Sequence, residues 1–527
     1  MSSSPNPYLD QALDRLPQIL AMFDTNPFSP TKGIGDRYFW AWKLIDFPNG
    51  TFQGATHGLA RLLQAGLLPR EFCEHRIMAR IDEIFRGTSA AIRPNGSLEE
   101  AFPYENSFCV TGLVAFDLLC TLDLLRDRLS PETQKRYREI VAPMIGFLVR
   151  ADETHAFISN HLATAAAALY RWAESRPGPA KTKADLLLAR ILAHQSTEGW
   201  FQEYEGADPG YQSLGTYYLA DIALRESNLE LLSALQRSVS FLEYCAHPDG
   251  SFGGLYGSRN TRFIVPAGIE ALVPIVPEFG PLTSFAREAI AAKRVVSLAT
   301  IDSPNLIPLW NAYCWAASCV NREPGRTAGS RDLPHQRPDR FQHRFAEAGL
   351  IITNTDTFYQ IVSFHKGGVV AHFDKRNRRA QIDPGIVAVD NRRQVFSSQS
   401  YSRENQIIVE ERSITITAEL VKLHTALPGP WQFALLRIAC GSVLRIPRLN
   451  ALLKKLLVHF LITGKTRSHV QVQRTIACDE SSAITDSFTG PESGYRLVAD
   501  RAPFSAIHMA SQGYWQIQDD AAPSTQP

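Results

Sequence analysis

His247-Pro-Asp-Gly-Ser-Phe252 is a chain reversal followed by an aromatic anchor. Pro presets one backbone angle, Asp and Gly supply the turn, and Phe closes it. The same pattern stands at Phe47-Pro-Asn-Gly-Thr-Phe52, Arg93-Pro-Asn-Gly-Ser-Leu98 and Ser196-Thr-Glu-Gly-Trp-Phe201. Its glycines, Gly50, Gly96, Gly199 and Gly250, lie 46, 103 and 51 residues apart. The middle interval is two units long, with Asp152-Glu-Thr-His-Ala-Phe157 as a degenerate copy inside it. Helical patterns follow the turns, as at Ser107 to Leu119 and Pro266 to Leu272. A period near fifty without strand alternation means repeated helical hairpins, and about six fit before Asn321. Six hairpins closed in a ring make an (α/α)6 toroid with its loops around a central cleft. An open helical solenoid is the alternative.

Beyond the repeats the composition changes. Residues 322–341, from Arg322-Glu-Pro-Gly-Arg onward, read as a linker between a helical domain at 1–321 and a β domain at 342–527. Gly349 to Thr353, Thr357 to Phe364, Gly385 to Asp390, Gln406 to Glu410 and Ser413 to Ala418 are short apolar runs between turn residues. They predict an antiparallel β-sandwich, giving an α+β two-domain chain. Pro430 to Ile462 breaks the pattern as a helical, apolar, basic insertion carrying Arg437, Arg445, Arg448, Lys454 and Lys455. It reads either as a helix capping the sandwich or as a peripheral contact with anionic lipid, interrupted by Gly441 and Pro447. The tail from Asp519 is polar and expected to fray.

The 527 residues carry a formal net charge of +1, which gives no general argument for nucleic acid. Eight cysteines without a CxxC pair suggest buried thiols in place of disulfides or zinc ligands. Neither a cofactor nor a metal is expected. The first residues lack a basic and apolar leader, and no run reaches the ~18 apolar residues of a spanning helix. The reading is cytoplasmic, with membrane-peripheral placement as its variant.

Chemistry concentrates at two helix starts. Asn160-His161 opens a helix that runs to Trp172 through four consecutive alanines, Ala165 to Ala168. Its free N–H groups and positive dipole end favour an anion. Asp208-Pro209-Gly210 turns the chain into a second helix, on which Tyr211 heads the stripe of Leu214, Gly215, Tyr218 and Ile222. A toroid followed by a sandwich, with an Asn-His pair about fifty residues before a Gly-flanked Tyr, resembles the heparinase II/III-like and alginate-lyase-like polysaccharide lyases. The resemblance implies β-elimination on a uronate-containing glycan. Asn160 and His161 would neutralise the uronate carboxylate, and Tyr211 would transfer the proton. Arg259, Asn260 and Arg262 in Gly257-Ser-Arg-Asn-Thr-Arg262 are candidates for substrate binding, either Arg supplying the cation a tyrosine base needs. His57, after the first turn, and Glu205, in the loop before Tyr211, are further candidates for the cleft. His365 and His372 are candidates for the second histidine that such lyases carry in the sandwich, although the family's His-rich motif is not visible around them.

Two other readings remain open. Glu203, Glu205 and Asp208 in one loop, with Glu99, Glu100 and Glu105 in another, could serve a toroid glycoside hydrolase with paired carboxylates. A non-catalytic glycan-binding or assembly protein of polysaccharide biosynthesis would keep the scaffold without the chemistry. A terpene-cyclase-like toroid is disfavoured, because no Asp-x-Asp-Asp motif is present.

Overall fold

The computed structural model describes residues 6–41, 44–154, 156–320, 332–423, 429–458, 464–489, 494–499 and 503–506. Six helices form an inner ring: Thr56–Gln64, Phe108–Leu124, Ser159–Ser175, Pro209–Arg225, Ala267–Leu272 and Ser303–Val320. Each packs on the next, and the last packs back on the first. That contact closes the ring and decides against an open solenoid. Six more helices alternate with these along the chain on the outside: Pro7–Ala21, Glu74–Ala91, Pro131–Arg150, Pro179–Ala193, Leu229–Glu243 and Gly280–Ala291.

The sequences separate the two layers. Phe108–Leu124 is buried on nearly all faces and is apolar all round, as an inner helix must be. Glu74–Ala91 buries Ile77, Ile81, Ile84, Phe85 and Thr88, a single stripe at helical spacing. Among the repeat turns, Gly96, Gly199 and Gly250 adopt positive φ. A side chain at Gly96 or Gly199 would enter the backbone of the outer helix behind it, at Pro143 or Arg237. The first turn differs. Asn49 caps a 3-10 helix at Gly50–Ala55 that runs straight into Thr56–Gln64. Of the degenerate copy, His155 lies outside the described residues.

Five strands, β1 (Phe341–Phe345), β2 (Leu350–Asn354), β3 (Phe358–Ser363), β4 (Val369–Asp374) and β5 (Arg379–Asp383), form an antiparallel meander in chain order. The second sheet holds β6 (Val387–Asp390), β7 (Val395–Ser397), β8 (Gln406–Val409), β9 (Ser413–Lys422), β10 (Arg467–Ala477), β11 (Ile484–Phe488) and β12 (Tyr495–Leu497). Its order is β11-β10-β9-β7-β6-β12, with β8 also on β9. The meander lies between the ring and the second sheet. Leu350, Ile352, Tyr359, Ile361 and Phe373 join the helical core, while Ile351, Val362 and Val370 pack on Ile414, Ile416 and Ile476. Burial on both faces explains why β2, β3 and β4 read as continuous apolar runs.

Of the expected linker, residues 322–331 lie outside the described residues. Its remainder is ordered structure: Pro334–Gln336 is a 3-10 turn, His335 is buried, and β1 begins at Phe341. The expected frayed tail also lies outside the described residues. The insertion is helical but broken, as Gly441 and Pro447 suggested, into Pro430–Gly441, Val443–Arg445 and Pro447–Val458. Its positions 459–462 lie outside the described residues. It caps the helical ring, not the sandwich: Leu436, Ala439, Cys440, Leu444, Leu453 and Leu457 pack on Phe102 and Tyr104. Among the described residues, no helix is long and apolar enough to cross a membrane.

Candidate functional site

Asp208 organises the site. Its side chain caps the helix Pro209–Arg225 by accepting from the Tyr211 N–H at 3.1 Å. The other carboxylate oxygen accepts from the Arg259 N–H at 2.9 Å, and the Thr261 hydroxyl donates to the first. One carboxylate thus ties the loop 257–262 to the start of the Tyr211 helix. The neighbouring inner helix, Ser159–Ser175, meets it where Gly215 faces Asn160, a Cβ position 3.8 Å from the Asn160 Cα. Tyr211 lies four residues before Gly215, one turn up the same stripe. Tyr211 and Asn160 therefore stand at adjacent helix starts, with the Tyr211 ring edge-on to Phe263.

The Asn160 backbone N–H and side-chain amide donate to the two oxygens of Glu203, at 2.9 and 2.7 Å. Burial pushes the Glu203 carboxyl up to about 8, against the opposing pull of these bonds. His161 Nδ1 lies 2.7 Å from Glu153 Oε2 and the ring is partly exposed. The Arg259 guanidinium stacks on the Tyr204 ring, 3.8 Å from its centroid. Burial nevertheless lifts the Tyr204 phenol to about 12, so it stays protonated.

The sandwich contributes the other wall. Lys366, fully buried, donates to Gly257 O at 2.9 Å and to Asn260 Oδ1. Burial lowers its ammonium to about 7. Asn260 also donates to Ser505 Oγ at 2.6 Å. His365 Nδ1 is 3.1 Å from the Tyr401 hydroxyl, and burial holds this imidazole near about 4. Between the two walls lies a cavity of about 500 Å³ lined by Gln202, Tyr204, Glu205, Tyr401, Arg403 and Lys465, among others. Glu205 faces Lys465 at 3.7 Å, and its carbonyl accepts from Arg403 at 3.2 Å. A smaller cavity of about 200 Å³ shares Ser402, Glu404, Lys465 and Arg467 with it and extends the groove along the second sheet.

Several sequence candidates lie elsewhere. His57 is fully buried inside the ring, with Nδ1 2.9 Å from Asp117 and Nε2 accepting from Arg61. The turn before it runs directly into an inner helix, which carries the imidazole into the core and away from the junction. Arg262 acts on His247, where burial first and then the His335 and Arg262 charges hold the imidazole well below its usual range. His372 stacks on Phe358 within the meander. Glu105 pairs with Lys454 of the insertion at 2.9 Å. Among the described residues, no three His, Cys, Asp or Glu side chains gather as metal ligands.

Lys366, Tyr401, Arg403 and Lys465 were not singled out from the sequence. The one signal was Lys366-Gly367-Gly368, where both glycines take positive φ and turn the chain tightly behind the lysine.

No family profile matches the chain, and no curated protein matches it in sequence. Solved structures do. The Streptomyces coelicolor A3 chondroitin AC lyase, determined with chondroitin sulphate, superposes with a TM-score of 0.52 at 10% identity. The match covers 90% of this chain and 65% of the lyase. Heparinase III gives 0.51 at 12% identity, covering 90% of this chain and 69% of the other. The chain thus spans about two thirds of each. At such identity the likeness is one of fold: a polysaccharide-lyase-like helical toroid followed by antiparallel sheets.

Proposed function

We propose that this chain acts on a uronate-containing polysaccharide by β-elimination at the junction of ring and sandwich. The observation that supports the reading is that Glu203 clasps Asn160 at one helix start, while Asp208 ties the neighbouring start at Tyr211 to the backbone of Arg259, whose loop Lys366 holds through Asn260. Elimination removes the proton α to the uronate carboxylate and expels the glycosidic oxygen at the β position. One C–O bond breaks, a C=C bond forms, and no water is consumed. The proton is acidic enough only if donors stabilise charge building on the carboxylate. Asn160 commits one amide hydrogen to Glu203 and keeps a second. His161 lies beside it at the same helix start. Tyr211 is the group that moves the proton from carbon to the leaving oxygen. Arg403, Lys465 and Arg467 suit an anionic chain.

A second reading draws on one observation: Asn160 is only 3% exposed and is closed on Glu203. A scaffold that keeps this contact would bind glycan without turning it over. Ultraviolet absorbance of the unsaturated uronate, across a panel of acidic polysaccharides, separates the two. Absorbance that rises with the natural chain and vanishes in Tyr211→Phe supports elimination. Reducing ends without absorbance would replace it with hydrolysis by paired carboxylates. Saturable binding with neither signal would replace it with the binding scaffold.

A further inference from the structure

The insertion has two faces of opposite character. In Pro447–Val458 the inward positions are Asn450, Leu453, Lys454 and Leu457. Asn450 donates to Tyr104 O, and Lys454 meets Glu105. The outward stripe is Leu449, Leu452 and Leu456, which are 39%, 53% and 45% exposed. Pro430–Gly441 repeats the arrangement. Leu436, Ala439 and Cys440 point to the ring, while Trp431, Leu435 and Ile438 are 81%, 66% and 68% exposed. Val443 and Ile446, between the helices, are also more than half exposed. Both stripes follow helical spacing, so the exposure is organised and continuous across the pair.

The charge on this segment has a single sign. Residues 430–458 contain five Arg or Lys and no Asp or Glu. Arg437 and Lys454 are spent inward, on Asp46 at 2.9 Å and on Glu105. Arg448 and Lys455 remain exposed beside the leucines, and Arg445, also exposed, reaches back over the Tyr104 ring, 5.4 Å from its centroid. Contiguous exposed apolar surface of this kind marks an interaction site. Flanking cations without a single acidic residue select an anionic, apolar-backed partner, and a lipid headgroup layer has both properties.

We propose that the outer face of this helical pair docks on an anionic lipid surface. The leucine, isoleucine and tryptophan side chains enter the headgroup boundary, and Arg448 and Lys455 sit among the phosphates. The inward contacts hold the pair on the ring, so docking fixes the orientation of the whole molecule. The proposal is independent of the reaction at the junction.

The test is sedimentation of the full chain with vesicles of phosphatidylcholine, alone or with about a third phosphatidylglycerol. Binding is expected only to the anionic vesicles, weakening as salt rises, with a blue shift in Trp fluorescence. Arg448→Glu with Lys455→Glu should lower the partition coefficient by about tenfold or more, since each basic residue near the surface is worth about fivefold. Leu435→Asp with Ile438→Asp should abolish binding. Leu229→Asp, on the similarly exposed Leu229 of an outer helix, should leave it unchanged. Circular dichroism checks that each variant is folded. The proposal is overturned if anionic vesicles do not sediment the chain, or if the Asp variants bind as well as the natural chain. It is equally overturned if the lipid-free chain is a dimer that the Asp variants convert to monomer, since a second copy then covers the face.

Discussion

Glu203 accepts hydrogen bonds from both the backbone and the side-chain amide of Asn160, closing a two-point clasp between a loop and a helix start. A carboxyl ordinarily near 4.5 is raised there to about 8 by burial. Because the folded value is raised, its stabilising effect is complete below the unfolded value and is lost as pH rises through the folded one. Glu203→Gln does not titrate, and it keeps both contacts once the Asn160 amide turns over. Between about pH 5 and about pH 8 the variant should therefore gain on the natural chain, by about 1–3 °C in Tm. Paired thermal melts check this, and a constant difference would refute a titrating Glu203.

Lys366 titrates in the opposite sense. Its ammonium falls from 10.5 to about 7 on burial. A lowered folded value gives stability that is present above the unfolded value and lost as pH falls through the folded one. The natural chain should thus gain stability relative to Lys366→Met from pH 7 towards pH 10. At pH 7 the variant also removes the Lys366 donor from Asn260. Polysaccharide affinity is expected to drop about tenfold, the worth of one charge-assisted hydrogen bond. Titration calorimetry on both chains would show it.

Arg171 forks onto Asp221, with Nε at 2.9 Å and Nη2 at 2.5 Å, and both groups are buried. Asp221→Ala leaves much of that charge uncompensated in the ring and should cost about 3–5 kcal/mol. Glu174, at the rim of the same cluster and 39% exposed, should cost less than about 1 kcal/mol on replacement by Ala. Urea unfolding of the two variants measures the contrast.

Gly58 lets the closing helix approach the first. Its N–H donates to Asn311 Oδ1 at 3.0 Å, and a methyl there would enter the Trp310 ring. Gly58→Ala should destabilise by about 1–3 kcal/mol. Adding Trp310→Phe, which removes the obstructing part of the ring, should recover some of that loss. A double-mutant cycle with no coupling would refute the direct clash.

The ring was legible because its units announce themselves. Gly96, Gly199 and Gly250 all take the left-handed turn, the first two pressed on an outer helix and the third on Arg294, so spacing alone reveals the repeat. Closure was not legible. It depends on Ser303–Val320 meeting Thr56–Gln64, a contact between the two ends of the domain that no local pattern encodes. The site divides in the same way. Asn160, Tyr211, Arg259 and Asn260 sit beside turns with recognisable caps. Lys366, Tyr401 and Lys465 acquire meaning only when the sandwich folds against those turns. His57 shows the converse error, since proximity to a repeat turn suggested a cleft and the 3-10 helix at that turn carried it inward.

The apolar core does not stop at the last helix. Phe345, Leu350, Tyr359 and Phe373 of the first sheet belong to the same continuous cluster as the inner ring, and the Tyr359 hydroxyl donates to Tyr244 O at 2.8 Å across the seam. Ring and sandwich are consequently expected to melt in one transition, and severing the chain between them would leave two pieces with raw apolar faces.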